Sequence, residues 1–331
     1  MNKIVTVSLI LTLSACTGIE NGTYQNDKID DETHALISAK NKMLLGFLKK
    51  GNTKDLADMM SVDMHQSVHE NLDAFVAKAR TRISSDNYKE VDAFHVVNEN
   101  SNQRISIKTK AHDKRNYQLR YQAVTKESFV SILEPHTDGD IYRILLVYGK
   151  YKDQWKLNVV QYGRHTIGGI DAIGHYEKAM EHESKGYLTN AVNHMVLASA
   201  TASPASEYLE YTLQKEMDQY NENLLQQALT AYPMPLTLND VATKPQVFKI
   251  MPQRVEGDFC TMVKYRTSII LSDTIALKAE NSIIDREIDA IFPGIKADAP
   301  FVFYRAYNEI PKEDLNVPYF GFVKEVESAG I

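Results

Sequence analysis

Residues 141–162 read IYRILLVYGKYKDQWKLNVVQY, and this stretch determines the predicted fold class. Two runs rich in β-branched and aromatic side chains flank Lys152-Asp153, a pair typical of a tight hairpin turn. Polar and apolar residues alternate from Lys156 to Val160, as they do in an antiparallel strand with one buried face. The stretch therefore predicts two paired strands, residues 141–151 and 154–162.

Four segments upstream carry the same two-residue period. They cover residues 91–97, 103–110, 116–124 and 128–133. Asp138-Gly139 supplies a turn between the last of them and the hairpin. Together with the hairpin, these segments predict an antiparallel meander of four to six strands.

The residues before the strands follow a helical period instead. Apolar side chains recur at about 3.6-residue spacing between residues 32 and 60, at Leu36, Met43, Leu44, Phe47 and Leu48. Gly51-Asn52 is expected to end this helix, and Asn52 or Thr53 to cap the next one. A third helix is predicted at residues 70–83. Helices followed by an antiparallel sheet predict an α+β layered domain.

This order of elements resembles the NTF2-like superfamily, a cone-shaped α+β fold found in many small bacterial lipoproteins. The resemblance rests on residues 41–49 and 54–60 as opening helices and on residues 154–159 as the closing strand. The domain predicted from it covers residues 32–165. The resemblance implies a curved sheet around an apolar interior, in which a ligand cavity would be lined by Tyr121, Phe129, Tyr148, Trp155 and Tyr162.

A glycine-rich segment, residues 163–174, marks a predicted boundary, and residues 175–231 are predicted to be helical. Lys185-Gly186-Tyr187 resembles the turn of a tetratricopeptide-type helical hairpin, whose close helix contact would be filled by Ala191, Met195, Ala198 and Pro204. One such unit is recognisable, and one unit cannot bury its own apolar face. We therefore expect it to pack on the flanking domains or on a partner.

Residues 240–327 mix both periods and predict a small C-terminal α+β unit. Its strands are expected at residues 247–250, 258–271, 301–307 and 319–326. Ser282-Ile283-Ile284-Asp285 resembles a capping box, so a helix is expected to begin there and to end at Pro293-Gly294. The buried face of this helix would carry Ile284, Ile288, Ile291 and Phe292.

The N-terminal residues carry a targeting pattern. Lys3 precedes an apolar run over residues 4–13, and Leu13-Ser14-Ala15-Cys16 closes it. The pattern resembles a bacterial lipoprotein signal with its lipobox, which implies removal of residues 1–15 and anchoring to a lipid bilayer through acylated Cys16. An N-terminal core helix is the alternative. Residues 16–31 are predicted to be a polar linker, and Thr17 after the cysteine implies the outer membrane, facing the periplasm.

The composition restricts the classes of partner. The chain has 331 residues, of which 44% are hydrophobic, and a formal net charge of −6. Because no long basic stretch is present, nucleic acid is not an expected partner. Beyond the signal, no apolar segment approaches the ~20 residues that cross a bilayer. Cys260 is the second of two cysteines, so we expect no internal disulfide and a buried, inert thiol.

Several short patterns fit a metal or anion site only in part. The groups with metal-ligand spacing are His65 with His69, His175 with His182, and His136 with Asp138 and Asp140. Each lacks the further ligands, so the sequence predicts two surface histidines, a solvated charged helix face and a turn, with no metal. Gly168-Gly169, downstream of Arg164 and His165, is a loop of the kind that holds anions. No phosphate-loop pattern accompanies it, which favours an interdomain linker.

The local signatures of common enzymes are absent from the sequence. It contains no Gly-x-Ser-x-Gly elbow, His-Glu-x-x-His motif, Walker loop or Cys-x-x-Cys pair. No cofactor is expected. The predicted function is a non-catalytic adaptor or protein-binding module of the cell envelope, with an envelope protein as its partner. A small-molecule binder that uses the predicted cone is the alternative, and a hydrolase or isomerase is the third hypothesis, because fold alone does not select a function.

Overall fold

The computed structural model describes residues 20–110, 112–255, 258–297, 300–312 and 316–326. Within this part of the chain the protein is a mixed α+β structure with several antiparallel sheets. The predicted signal, residues 1–15, and the predicted acylation site, Cys16, lie outside the described residues. None of the described helices combines the length and the apolarity that crossing a bilayer requires.

Eight α-helices are present among the described residues, and the predicted break after the first is confirmed. Gly51 ends that helix with a left-handed φ of 73°, and the Asn52 side chain caps the next helix by accepting the Asp55 amide. The bounds are α1 (Asp31–Lys50), α2 (Thr53–Met59), α3 (Val62–Val68), α4 (Leu72–Arg80), α5 (Ala172–Ser184), α6 (Leu188–Thr201), α7 (Gln214–Ala231) and α8 (Thr274–Ile291).

The six predicted strands of the first half are confirmed as β2 to β7, and the Lys152-Asp153 turn joins the last two. The bounds of the strands are β1 (Gly22–Gln25), β2 (Tyr88–Val97), β3 (Gln103–Lys108), β4 (Tyr117–Ala123), β5 (Glu127–Pro135), β6 (Tyr142–Tyr151), β7 (Gln154–Arg164), β8 (Thr166–Ile167), β9 (Ile170–Asp171), β10 (Leu209–Tyr211), β11 (Leu236–Thr237), β12 (Gln246–Val255), β13 (Asp258–Arg266), β14 (Phe301–Tyr307) and β15 (Phe320–Glu325).

The six strands do not form one continuous meander, so that expectation is wrong. An antiparallel five-stranded sheet has the order β1-β2-β5-β6-β7, and the β3–β4 hairpin leaves it to form a three-stranded sheet with β10. Alternating polarity cannot distinguish the two arrangements, because it specifies which face of a strand is buried and not which strand lies alongside. The predicted linker is also too long, because residues 22–25 pair with β2, with Gly22 opposite Val97.

The five-stranded sheet is covered on both faces. Helices α1 to α4 pack on one face, where Leu44 and Leu48 meet Leu146 and Leu157 in a first core. The other face contributes residues such as Leu145 to a second core, which also contains residues of β4, α5, α6 and α7. The helical region therefore shares a core with the sheet, across the boundary that the glycine-rich segment suggested.

Helices α5 and α6 meet at the predicted turn, and α5 begins three residues before the predicted boundary of the helical region. The Asp171 side chain caps α5 by accepting the Gly174 amide. The predicted contact residues Ala191, Met195 and Ala198 are buried in the second core. Strand β10 interrupts the region and pairs with β4, a contact that the sequence did not indicate.

The C-terminal unit has its own core and a sheet in the order β11-β12-β13-β14-β15. Helix α8 begins at Thr274 with Asp273 as its cap, so the capping box predicted at residues 282–285 is wrong. That stretch lies inside the helix, where Ser282 is exposed and Asp285 accepts a hydrogen bond from the Tyr304 hydroxyl at 2.7 Å. The predicted apolar face is confirmed for Ile284, Ile288 and Phe292, which are buried.

A glycine fixes the distance between the first sheet and the helical region. A Cβ at Gly163 of β7 would lie 2.5 Å from the Pro204 carbonyl oxygen, which belongs to the chain after α6. A Cβ at Gly46 of α1 meets nothing within 4 Å. The backbone of β7 and the segment after α6 are therefore in direct contact, with no room for a side chain.

We expect Gly163→Ala to lower the free energy of unfolding by ~1–3 kcal/mol, because the methyl group must displace backbone atoms. Gly46→Ala is the matched control and should raise the free energy of unfolding by ~0.5–1 kcal/mol, since alanine is the better helix former. Urea denaturation followed by circular dichroism measures both. Equal effects of the two substitutions would contradict the close contact at Gly163.

Candidate functional site

A cleft of about 270 Å³ lies between the two sheets of the first half and the start of α5. We call it the charged cleft, because most of its lining side chains are titratable. Strands β2, β4, β5, β6, β9 and β10 contribute to it, as do the segments before β4 and after β7. The lining residues are Lys89, Val91, His112, Arg115, Tyr117, Glu134, Arg143, His165, Asp171 and Tyr211.

A buried ion pair forms the floor of the charged cleft. Arg143 of β6 donates from Nη2 to Glu134 Oε1 of β5 at 2.5 Å and from Nε to the same oxygen at 3.1 Å. Arg143 points to the same face of the sheet as Leu145 because successive side chains of a strand alternate between faces. Both charged residues are buried. Two opposite charges thus occupy positions that the alternation assigns to the core.

His165 accepts a hydrogen bond from this arginine. The Arg143 Nη2 atom lies 2.8 Å from His165 Nε2, and a guanidinium can only donate. The imidazole is therefore neutral with its proton on Nδ1, which faces the Tyr211 hydroxyl at 3.4 Å. Burial and the positive charge of Arg143 lower the pKa of His165 to about 4.

A second ion pair closes the side of the cleft near α5. Arg115 donates to both carboxylate oxygens of Asp171, from Nε at 2.6 Å and from Nη2 at 3.1 Å. Burial acts to raise the pKa of Asp171, but the hydrogen bonds from Arg115 and from the Gly174 amide outweigh burial and lower it. The same carboxylate therefore caps α5 and holds the loop before β4.

Asp92 of β2 lies behind the cleft and has a fully buried carboxylate. His112 Nε2 donates to Oδ2 at 2.7 Å, and the Tyr117 hydroxyl donates to the same oxygen. The side-chain amides of Gln25 and Asn26 donate to Oδ1 at 3.0 and 3.1 Å. Burial and the charge of Asp92 raise the pKa of Tyr117 well above its usual range, so this phenol keeps its proton.

The arrangement neutralises its own charges. Each of the three carboxylates, Glu134, Asp171 and Asp92, has a basic or hydroxyl partner in the chain. The neutral His165 accepts a hydrogen bond from Arg143 at Nε2, and the nearby Glu134 carboxylate, whose Oε1 lies 3.5 Å from that nitrogen, is itself bound by Arg143. The carboxylates and the histidine are thus engaged with partners inside the chain, which suits structural support and binding better than proton transfer.

The aromatic residues predicted to line a cone cavity are packed into cores. Phe129, Tyr148 and Trp155 are buried in the core beneath α1 to α4, and Tyr162 packs against it. Tyr121 lies in the other core, where its hydroxyl is 2.9 Å from Ser128 Oγ. The structure thus divides the five residues between opposite faces of the first sheet.

The members of the groups with metal-ligand spacing differ in burial and in their contacts. His65 and His69 are exposed, as predicted, with ring centroids 6.4 Å apart. Asp140 is buried and accepts from the Gly168 amide at 2.9 Å and from Arg254 Nη1 at 2.7 Å, whereas His136 and Asp138 are exposed. Across the described residues, no group of three or more His, Cys, Asp or Glu is placed to hold a metal ion.

Two further expectations are wrong. Gly168-Gly169 is the two-residue turn of the β8–β9 hairpin rather than an interdomain linker, since both glycines have positive φ, 57° and 74°. His175 and His182 are buried against His194 of α6 rather than solvated. Helix pairing causes this, because the face carrying both histidines is the face turned towards α6. Cys260 is buried, as predicted.

Arg143, Glu134 and Asp92 were not among the site residues predicted from the sequence. The signal for them was present, because each is a charged residue at a position that the two-residue period assigns to a buried face. An isolated charge at such a position requires a partner. The sequence alone could not identify these partners, because they are distant in the chain; Asp92 and Tyr117, for example, are 25 residues apart.

Comparison of the chain with protein-family models, with curated proteins and with solved structures finds no match. The functional interpretation therefore rests on the residues and their geometry.

We expect acid to destabilise the protein through His165. The unfolded chain binds a proton on this residue near pH 6.5, whereas the folded chain binds it only near pH 4. Between these values the unfolded state holds more protons, so the free energy of unfolding falls as the pH falls. The loss attributable to His165 is ~3 kcal/mol between pH 7 and pH 4.

Urea titrations of the wild type and His165→Gln at pH 7 and pH 4 measure this effect. The glutamine variant should lose ~3 kcal/mol less than the wild type over that interval. Burial and His194 also lower the pKa of His175 to about 4. Because both proteins contain His175, its contribution cancels in the difference between them. The exposed His136→Gln serves as control. An identical pH dependence of wild type and His165→Gln would refute the assignment.

Proposed function

We propose that this protein is a lipid-anchored, non-catalytic adaptor of the bacterial cell envelope, held at the outer membrane and facing the periplasm. The self-neutralised charged cleft is the observation that carries the non-catalytic part. An enzyme needs a group poised to gain or lose a proton or to attack. The cleft residues most suited to such a role, Glu134, His165 and Asp171, are engaged in contacts within the chain.

We also propose that α1 to α4 with the first sheet form an NTF2-like unit, and that α5 with α6 is a tetratricopeptide-like hairpin. The element order helix, helix, sheet supports the first part of this proposal. The buried alanines of α6 support the second. The NTF2-like fold hosts enzymes as well as binding proteins, so this assignment does not itself select a function, and the adaptor proposal depends on the tests below.

The anchor would hold the protein close to the bilayer. Strand β1 begins at Gly22, six residues after the lipobox cysteine, Cys16. Six residues of fully extended chain span about 20 Å. An adaptor tethered this closely would present its surfaces to other envelope proteins within a short distance of the membrane.

The exposed side of α1 is the surface that we propose for the partner. Leu36 and Met43 are seven residues apart and therefore lie near the same side of the helix, and they are 47% and 53% exposed. Leu36 also lines a groove of about 250 Å³ with Lys40, Met59 and Lys156. We call these five residues the α1 face. The groove also contains Asp58 and Asp153, so its apolar side chains lie beside charges of both signs and suit a partner surface that combines apolar and charged residues.

The small-molecule alternative loses its original site, because the aromatic residues assigned to the cone interior fill cores. The hydrolase or isomerase hypothesis would need an unpaired histidine or carboxylate in an open pocket. The charged cleft does not supply one, because its two carboxylates and His165 all have partners within the chain. The adaptor is therefore the function that the geometry supports best.

The anchor is tested by metabolic labelling with a clickable palmitate analogue, followed by fractionation. The wild type should carry the label and sediment with outer membranes. Cys16→Ser should carry no label and appear in the soluble periplasmic fraction, because a chain without acyl groups has no stable membrane attachment. Cys260→Ser is the matched control and should behave as the wild type. An unlabelled wild type that retains residues 1–15 would refute the anchor.

The α1 face is tested by cross-linking and affinity capture of the tagged full chain in its own envelope. Leu36→Glu and Met43→Glu should each reduce the captured envelope partner by at least ~10-fold, because a buried carboxylate at an apolar interface is not compensated. Leu229→Glu on α7 is the control, since Leu229 is similarly exposed at 58%. Capture that is unaffected in both α1 variants would contradict this surface.

A further inference from the structure

A second pocket lies where α5 and α6 meet the C-terminal strands β12 and β13. We call it the interface pocket, and its volume is about 130 Å³. Its apolar walls come from Ile167, Ile170, Leu197, Pro252 and Phe259. Pockets for drug-sized molecules exceed ~300 Å³, so this one suits a ligand of few heavy atoms. It shares no residue with the α1 face or with the charged cleft.

One face of α6 supplies the polar groups of the interface pocket. Asn190, Asn193 and His194 line it together with Leu197, at spacings of three and four residues that place them on one side of the helix. Asn193 donates to Thr261 Oγ1 of β13 at 3.4 Å. This hydrogen bond ties α6 to the C-terminal sheet and fixes the opening of the pocket between them.

Asn190 lines the pocket and carries an unsatisfied acceptor. The residue is only 4% exposed, and its Oδ1 atom has no hydrogen-bond partner among the residues that the structure describes. A buried carbonyl oxygen without a donor is unfavourable, because it has lost its hydrogen bonds to water and gained none in the protein. A ligand with an N–H or O–H group at this point would recover that free energy.

The charges of the pocket lining determine which ligands fit. Lys178 of α5 lines the pocket, and no described residue forms an ion pair with it. The lining contains no aspartate or glutamate. His175 Nε2 donates to the Ile167 carbonyl at 3.2 Å, and its Nδ1 lies 3.1 Å from His194 Nδ1. The positive Lys178 therefore favours an anion, and a ligand ammonium would find no counter-charge.

We infer that the interface pocket binds a small carboxylate that also carries a neutral N–H or O–H donor and a short apolar group. Short hydroxy acids and N-acylated small amino acids have this combination. The carboxylate would pair with Lys178, the donor would satisfy Asn190 Oδ1, and the apolar group would contact Leu197 and Phe259. This site is independent of the adaptor proposal, and it gives the small-molecule hypothesis a location outside the cone.

The test uses N-acetyl-L-alanine and L-lactate as probes, titrated by calorimetry into the full-length protein. Each probe has a control that lacks one recognition group. N-acetyl-L-alaninamide has no carboxylate, and propionate has no hydrogen-bond donor beside its carboxylate. We expect both probes to bind and both controls to bind at least ~10-fold more weakly, because a lost charge-assisted or buried hydrogen bond costs that much.

Lys178→Met places the binding in this pocket. The substitution keeps the aliphatic stem of a partly exposed side chain, so the fold should be retained, and it should weaken the probes by ~10–100-fold. Lys215→Met on α7 is the matched control and should bind as the wild type does. Thermal unfolding of each protein verifies that it is folded.

Three results would overturn the inference. They are no binding of either probe, equal binding of a probe and the control that lacks one of its groups, and unchanged binding to Lys178→Met. None of them bears on the adaptor proposal, because partner capture depends on the α1 face and on the anchor. If partner capture fails while the probes bind, the adaptor proposal is refuted and the proposal of a ligand site in the interface pocket stands.

Discussion

The carboxylate of Asp92 joins the two sheets of the first half of the protein. It belongs to β2 of the five-stranded sheet, and it accepts a hydrogen bond from Tyr117 of the three-stranded sheet. The same carboxylate accepts from Gln25, the last residue of β1, from the next residue Asn26, and from His112 in the loop before β4. Since its side chain is fully buried, each lost donor would leave part of a charge without compensation.

This buried polar network contributes more to the selection of one strand arrangement than to the free energy of folding. Buried charges contribute little net free energy, because the cost of removing them from water offsets their attraction. They do penalise alternative pairings strongly. The register of β2 on β5 shifts between Glu90 and Asp92, and a bulge of this kind turns the next side chain to the face where Tyr117 lies. Arg143 with Glu134 and Arg115 with Asp171 extend the same polar layer towards α5. The sheets and the helical region therefore have one mutual arrangement in which Asp92, Glu134 and Asp171 are all paired.

The elements that the sequence predicted are those specified by neighbouring residues. Lys152-Asp153 sets a two-residue turn, and Gly51 with Asn52 ends one helix and caps the next, because each acts within a few residues of itself. Helix α3 was missed, since seven residues with Met64 as the single buried side chain show no period. Strand β10 was missed because a three-residue strand has no pattern of its own and depends on β4 for its hydrogen bonds. The charged cleft was missed for the same reason, since it is assembled from residues that are distant in the chain.

Asp140 connects the β8–β9 turn to the C-terminal unit and thereby shapes the interface pocket. Its Oδ1 atom accepts the amide of Gly168, which lines the pocket, and its Oδ2 atom accepts from Arg254, two residues after the pocket residue Pro252. One buried carboxylate thus fixes two walls that come from different parts of the chain. A pocket whose walls are held before a ligand arrives loses less conformational entropy on binding.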